Sequence, residues 1–348
     1  MRALLFCAAL LCGLPCFAAS SCDVRVPTET LVVGDVRLAY QSIGRPTDPA
    51  LLLVMGVGGQ LIDWPDAVLT RLCQQGLRVI RFDNRDVGLS AWPQGAPEAN
   101  LALGVLRYKL GLPVTAPYHL RDMAGDALQL MSSLRIERFH LLGASMGGMI
   151  AQHLADLAPQ RVLSLTLLMS SSSAQGLPAP KQALLELLAR REAPSRALAL
   201  EQQADLLAAL GSPRVQDERS ELLRQAARSY DRAFNPAGVE RQLLAILAAP
   251  VAGPMVALLP TRRAGISVFV WIGTIGLHRR RDLDALIDTR EVTPIDFNGQ
   301  VLRMTRRDSG ESGLDSRGIR VVAWARLTGV ALSGLPVISS SSRASGQW

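Results

Sequence analysis

The residue of this chain best suited to chemistry is Ser145, in the run Leu141-Leu142-Gly143-Ala144-Ser145-Met146-Gly147-Gly148. This is a G-x-S-x-G sequence at the end of an apolar, strand-like segment and at the start of a helix-like one. That context suits a serine held out on a sharp strand-to-helix turn. Side chains at Gly143 and Gly147 would crowd such a turn, so their absence lets the chain bend and pushes the Ser145 hydroxyl into the open. The helix expected from Gly147 to Leu157 aims its first backbone donors and its dipole at the same spot. Negative charge would collect there if the hydroxyl attacked an acyl carbon.

A second segment supplies what such an attack needs. Residues 51–55 read as a strand running into Gly56-Val57-Gly58-Gly59-Gln60. Glycines let this backbone approach a substrate, and the Val57 N–H together with the Met146 N–H would form an oxyanion hole. The loop is not a nucleotide cradle, because no G-x-G-x-x-G or G-K-[ST] follows. A third segment, RFDNRDVGLS (81–90), packs charges against a strand end and reads as structural support through ion pairs and backbone hydrogen bonds. No Cys/His cluster has metal-ligand spacing.

The elements that must position these residues follow from periodicity. Apolar, β-branched runs recur at 29–33, 36–40, 51–55, 77–82, 139–142 and 162–168. The first two alternate and the later ones are continuous, which predicts an antiparallel hairpin followed by buried parallel strands. Helical patterns at 66–75 and 120–134 intervene, so the fold class is α/β with a doubly wound, mostly parallel sheet. After Ser171-Ser172-Ser173 the pattern turns to helix only, at 181–191, 195–210 and 215–234, with breaks at Pro194, Gly211-Ser212-Pro213 and Asn235-Pro236. The expected organisation is a signal peptide at 1–20, a core at 21–173, an inserted helical cap at 174–248 and an atypical, partly disordered region at 249–348.

Taken together, MGVGGQLIDWP, RFDNRDVGLS, GASMGGMIAQ and the cap's RSYDRAFNPAGVERQLLAIL resemble the α/β-hydrolase superfamily, over roughly residues 28–245. The likeness is to its small-esterase branch, which includes the aclacinomycin methylesterase-like enzymes. The resemblance implies an α/β-hydrolase fold and a hydrolase of carboxylic esters or related acyl substrates. It also implies Ser145 as nucleophile, Val57 and Met146 as oxyanion donors, a small-molecule substrate and no metal or organic cofactor.

The resemblance stops short of a full triad. Such enzymes use an acid and then a histidine, in that chain order after the serine. The strand candidate at 266–272 runs into Gly273-Thr274-Ile275-Gly276 with no carboxylate, and His278 is the one histidine beyond the cap. His278 is the candidate base, but Arg279-Arg280-Arg281 would disfavour its imidazolium, and Asp282 and Asp284 follow it in the wrong order. His119 precedes a helix, His140 lies in a strand, and His153 sits on the helix after Ser145. None of the three is a persuasive base. Loss of strand-helix periodicity after about Pro250 leaves a shifted reading frame or a fused segment open. Reading the other two frames of the gene beyond codon 250 tests the frameshift. The competing reading is a truncated or frameshifted hydrolase-like protein, catalytically weak or inactive.

Composition bounds the rest. At 348 residues, one large domain with a cap fits and a second full domain would be cramped. Of 37 basic and 30 acidic residues, residues 251–348 hold 13 and 8, so the net charge of +7 sits mainly in that tail. Only Lys109 and Lys181 are lysines, and nucleic-acid binding gets little support. The start, Met1-Arg2 followed by a short apolar run and small residues at Ala18 to Ser21, reads as a secretory signal. Export to a periplasm or outside the cell is expected, with no stable membrane insertion after cleavage. That leaves Cys22 and Cys73 in the mature chain, either bridged or as a flexible thiol and a helix-packed one.

Overall fold

A computed structural model describes residues 22–91, 98–171, 182–189, 195–211, 217–249 and 267–271. Among the described residues seven strands form one sheet in the order β1-β2-β4-β3-β5-β6-β7. β1 (Glu29–Val33) and β2 (Val36–Ile43) make the expected antiparallel hairpin, turned at Gly34, whose φ is +57°. β2 also runs antiparallel to β4 (Arg78–Phe82). From β4 onward all pairings are parallel, through β3 (Ala50–Val54), β5 (Phe139–Ala144), β6 (Val162–Leu168) and β7 (Ser267–Trp271).

Successive residues of a strand point to opposite faces, so the continuous apolar runs feed two cores. On one face Leu52, Val54, Ile80, Phe82 and Leu141 pack with α3 (Leu120–Ser133) and α4 (Met146–Leu157). On the other, Leu51, Leu53 and Val79 pack with α1 (Asp66–Gln74) through Leu69 and Cys73. Cys22 and Cys73 form a disulfide, with Cα atoms 5.6 Å apart, which tethers the segment before β1 to α1.

α2 (Leu101–Lys109) was not evident from periodicity. Its Leu103, Leu106 and Tyr108 are exposed, so no apolar stripe marks an inner face, while Gly104 packs closely on Leu244. Between β6 and β7 lie α5 (Gln182–Ala189), α6 (Arg196–Leu210), α7 (Arg219–Arg232) and α8 (Pro236–Leu247). The Asn235-Pro236 break is itself a helix start. Asn235 Oδ1 accepts the Gly238 N–H at 3.1 Å, and Pro236 occupies the first turn, where a missing N–H costs nothing. Ser195 caps α6 in the same way. No helix among the described residues is long and apolar enough to cross a membrane. The expected signal peptide and all of 249–348 except Ala249 and β7 lie outside the described residues.

Candidate active site

β5 ends at Ala144 and α4 begins at Met146, which leaves Ser145 alone at the corner with φ +53° and ψ −122°. A non-glycine residue in that region is strained and persists only where its surroundings hold it. Here they do. The Ser145 N–H donates to the Leu168 carbonyl at 2.8 Å, while the Ser145 carbonyl accepts from the Gly148 N–H at 2.9 Å and from Ser170 Oγ at 2.8 Å.

The glycines around the corner are required by main-chain contact. A Cβ on Gly143 would lie 2.5 Å from the Gly147 carbonyl carbon and 2.6 Å from Gly148 Cα. One on Gly147 would lie 2.6 Å from the Met55 carbonyl oxygen. A Cβ on Gly148 would instead meet the Ser170 side chain, its Cβ and Oγ. Nothing in the sequence pointed to Ser170, because its partner is 25 residues away.

The glycine loop after β3 lies against the corner. A Cβ on Gly56 would be 3.1 Å from Ser145 Cβ and 3.6 Å from its Oγ. Residues 56–59 form a tight turn closed by the Gly59 N–H on the Gly56 carbonyl at 3.2 Å. Among the described residues neither the Val57 nor the Met146 N–H has a hydrogen-bond partner, and Ser145 Oγ makes no hydrogen bond. The three groups singled out in the sequence are thus gathered at the carboxyl ends of adjacent strands, where open α/β sheets bind ligands.

The segment 81–90 forms a buried polar hub. Asp83 accepts the Leu61 and Leu89 N–H groups at 2.6 and 2.9 Å and pairs with Arg232 of α7 at 2.8 Å. Asn84 Nδ2 holds the Met55 carbonyl at 2.9 Å, beside the glycine loop. Arg85 and Asp126 make a two-pronged pair at 2.6 Å. Asp86, with φ +69°, takes two bonds from Arg241 of α8 at 2.7 and 2.9 Å and one from the Tyr118 hydroxyl at 2.9 Å. Burial, reinforced by the Asp86 carboxylate, pushes the Tyr118 hydroxyl well above the usual phenol range, so it stays a donor. Arg81 is lowered to about 10 by burial, with Asp66 opposing. These contacts fasten α7 and α8 to the strand ends.

A cavity of about 90 Å³ lies under α6, α7 and α8, with Gly58, Gln60, Asp63, Leu206, Tyr230 and Val239 in its wall. Burial raises the Asp63 carboxyl above its ordinary range, against hydrogen bonds from the Gln60 N–H and Ser229 Oγ, both at 2.7 Å. Ser145 does not line this cavity.

Among the described residues no hydrogen bond joins His119, His140 or His153 to Ser145. His140 lies five residues before it on an extended strand, about 16 Å away, and its Nδ1 is bonded to Ser164 Oγ at 2.8 Å. His153 is eight residues along α4, a rise of about 12 Å, and is buried. His119 is exposed at the start of α3, its N–H bonded to Asp122 at 2.8 Å. His278, Asp282 and Asp284 lie outside the described residues. β7 ends with Trp271 paired to Leu168, the residue whose carbonyl holds the Ser145 N–H, so β7 ends at the same edge of the sheet as the serine corner. Among the described residues no three His, Cys, Asp or Glu are gathered to hold a metal.

Comparison with known proteins agrees with this architecture. Residues 49–225 match the α/β hydrolase fold family, and the chain belongs to it. It is 31% identical over 187 residues to rhodomycin D methylesterase DauP of Streptomyces sp. (strain C5), a match covering 49% of this chain and 57% of that one. Over 130 residues it is 33% identical to a putative carbamate hydrolase RutD of Variovorax paradoxus, covering 37% and 41%. The chain therefore spans about half the length of the curated relatives it matches. Among solved structures, a hydrolase from Pseudomonas aeruginosa PA01 aligns with TM-score 0.51 at 25% identity, over 70% of this chain and 80% of that one.

Proposed function

We propose that the protein is a serine hydrolase of carboxylic esters or related acyl compounds, working through an acyl-enzyme on Ser145. The observation that carries this reading is the strained Ser145 corner with two unengaged N–H groups, those of Val57 and Met146, beside it. In the reaction, Ser145 Oγ bonds to the acyl carbon while its proton passes to a base. The carbonyl oxygen gathers negative charge that the two N–H groups stabilise. The ester C–O bond then breaks, the alcohol leaves with the proton, and water releases the acid by the same steps. His278 is the sequence's candidate for the base. The methylesterase relatives favour an ester of a small molecule. The chain is also read as exported, which the Cys22–Cys73 disulfide supports, since such bridges persist in oxidising compartments.

A fluorophosphonate probe on the purified protein tests the reading, with Ser145→Ala and His278→Ala beside it and p-nitrophenyl acetate and butyrate turnover in parallel. Labelling that disappears in Ser145→Ala is expected. An unlabelled, folded wild type would instead favour the weak or inactive reading.

A further inference from the structure

Gln242 lies on α8 with its side chain wholly out of water. Its Oε1 accepts the Gly58 N–H at 2.8 Å, across 184 residues of sequence, and its Nε2 donates to the Arg85 carbonyl at 2.8 Å. Both ends of the amide are used, and reversing it would set N–H against N–H and oxygen against oxygen. The orientation is therefore unique.

Gly58 is the third residue of the turn 56–59, and its φ of +69° is the value a type II turn requires there. The same four residues can form a type I turn by swinging the Val57–Gly58 peptide plane, which would carry the Gly58 N–H away from α8. Val57 stands next to that plane, and its own N–H is one of the two proposed oxyanion donors. We infer that Gln242 is a positioning residue: by holding the Gly58 N–H it selects the type II turn and pins to α8 the loop on which the Val57 donor sits, so that the helical insertion, together with the sheet, fixes where that loop lies. This inference rests on the serine-hydrolase reading for its catalytic consequence, while the conformational claim stands on the Gly58 contact alone.

The test uses the full chain with its disulfide intact, labelled with ¹⁵N-glycine, as wild type, Gln242→Met and Gln242→Glu. Gln242→Met is expected to lower the hydrogen-exchange protection of the Gly58 amide at least tenfold, while Gly148, held by the Ser145 carbonyl, keeps its protection. In p-nitrophenyl ester turnover, kcat should fall about tenfold with KM within twofold, since a loop no longer pinned to α8 holds its donor less accurately and slows chemistry without weakening binding. Gln242→Glu should behave like wild type at low pH, where a protonated carboxyl both accepts and donates. It should lose activity relative to wild type as pH rises, when the carboxylate faces the Arg85 carbonyl. A merely structural role would not give that pH-dependent rescue. Unchanged Gly58 protection in Gln242→Met overturns the inference, whatever the turnover. An inactive wild type overturns the hydrolase reading, and the Gly58 amide then still decides the conformational claim.

Discussion

Arg85 and Asp126 face each other through two hydrogen bonds of 2.6 Å, with both side chains only 6% exposed. The pair joins the segment after β4 to α3, and the main-chain carbonyl of the same Arg85 is the one Gln242 holds. Removing one partner of such a pair strands a buried charge. Arg85→Leu or Asp126→Leu alone should cost about 3–5 kcal/mol. The double variant should be closer to wild type than either single one, and urea midpoints at one pH settle the comparison. Single variants that lose under about 1 kcal/mol would show that water reaches the site.

The corner glycines give a second test. Gly143→Ala must push a Cβ into main-chain atoms of Gly147 and Gly148 that cannot give way. A loss of about 3 kcal/mol is expected. Gly125→Ala is the control: it lies inside α3 and its Cβ would meet nothing within 4 Å. There, the better helix propensity of alanine should stabilise by about 0.5–1 kcal/mol. Equal effects from both changes would mean that the corner is looser than its contacts indicate.

Much of the fold was legible because the relevant signals are local. Strand, glycine loop and serine corner each announce themselves within ten residues, and β1 and β6 have the bounds that alternation and apolar runs indicate. What stayed hidden depends on distant partners. Gln242 looks like any polar helix residue until Gly58 and Arg85 are seen on either side of it. Asn235-Pro236 reads as a break, whereas the same two residues begin α8. Cys22 and Cys73 could be counted but not paired, because sequence carries no Cα separation. An acid and a base to partner Ser145 were not legible either, since Gly273 to Gly276 holds no carboxylate and His278 is followed by three arginines, with Asp282 and Asp284 in the wrong order.

The disulfide closes a long loop, with 51 positions separating its cysteines. Limiting the unfolded chain to that extent is worth about 4 kcal/mol on a chain-entropy argument. Cys22→Ser/Cys73→Ser, or the reduced wild type, should unfold at correspondingly lower denaturant. A shift below about 1 kcal/mol would mean that the segment before β1 is held by packing of Val24 and Val26 instead.

Burial holds the imidazoles of His140 and His153 below their ordinary range, and Arg121 pushes His153 further down while Asp156 opposes. The fold thus favours the neutral rings, and the unfolded chain takes up protons first. The stability this gives is complete above about pH 6.5, the unperturbed value. It is lost as the pH falls from there through the lower folded values. Melting temperatures at pH 7.5 and 5.5 should drop for wild type, and by less for His140→Gln/His153→Gln. Identical drops would assign the acid sensitivity to other groups.

The seat of α7 and α8 has a consequence for recombination. Asp83 and Asp86 receive Arg232, Arg241 and Asn235, and Gly238 leaves just enough room for the Asp86 backbone. These segments lie some 150 residues apart in the chain yet act as lock and key. A chimera that takes its helical insertion from one parent and residues 83–86 from another would inherit mismatched halves of that lock. Crossovers that move both segments together keep it whole, so any cut between residues 86 and 232 breaks a linked block and two cuts are needed to carry it intact.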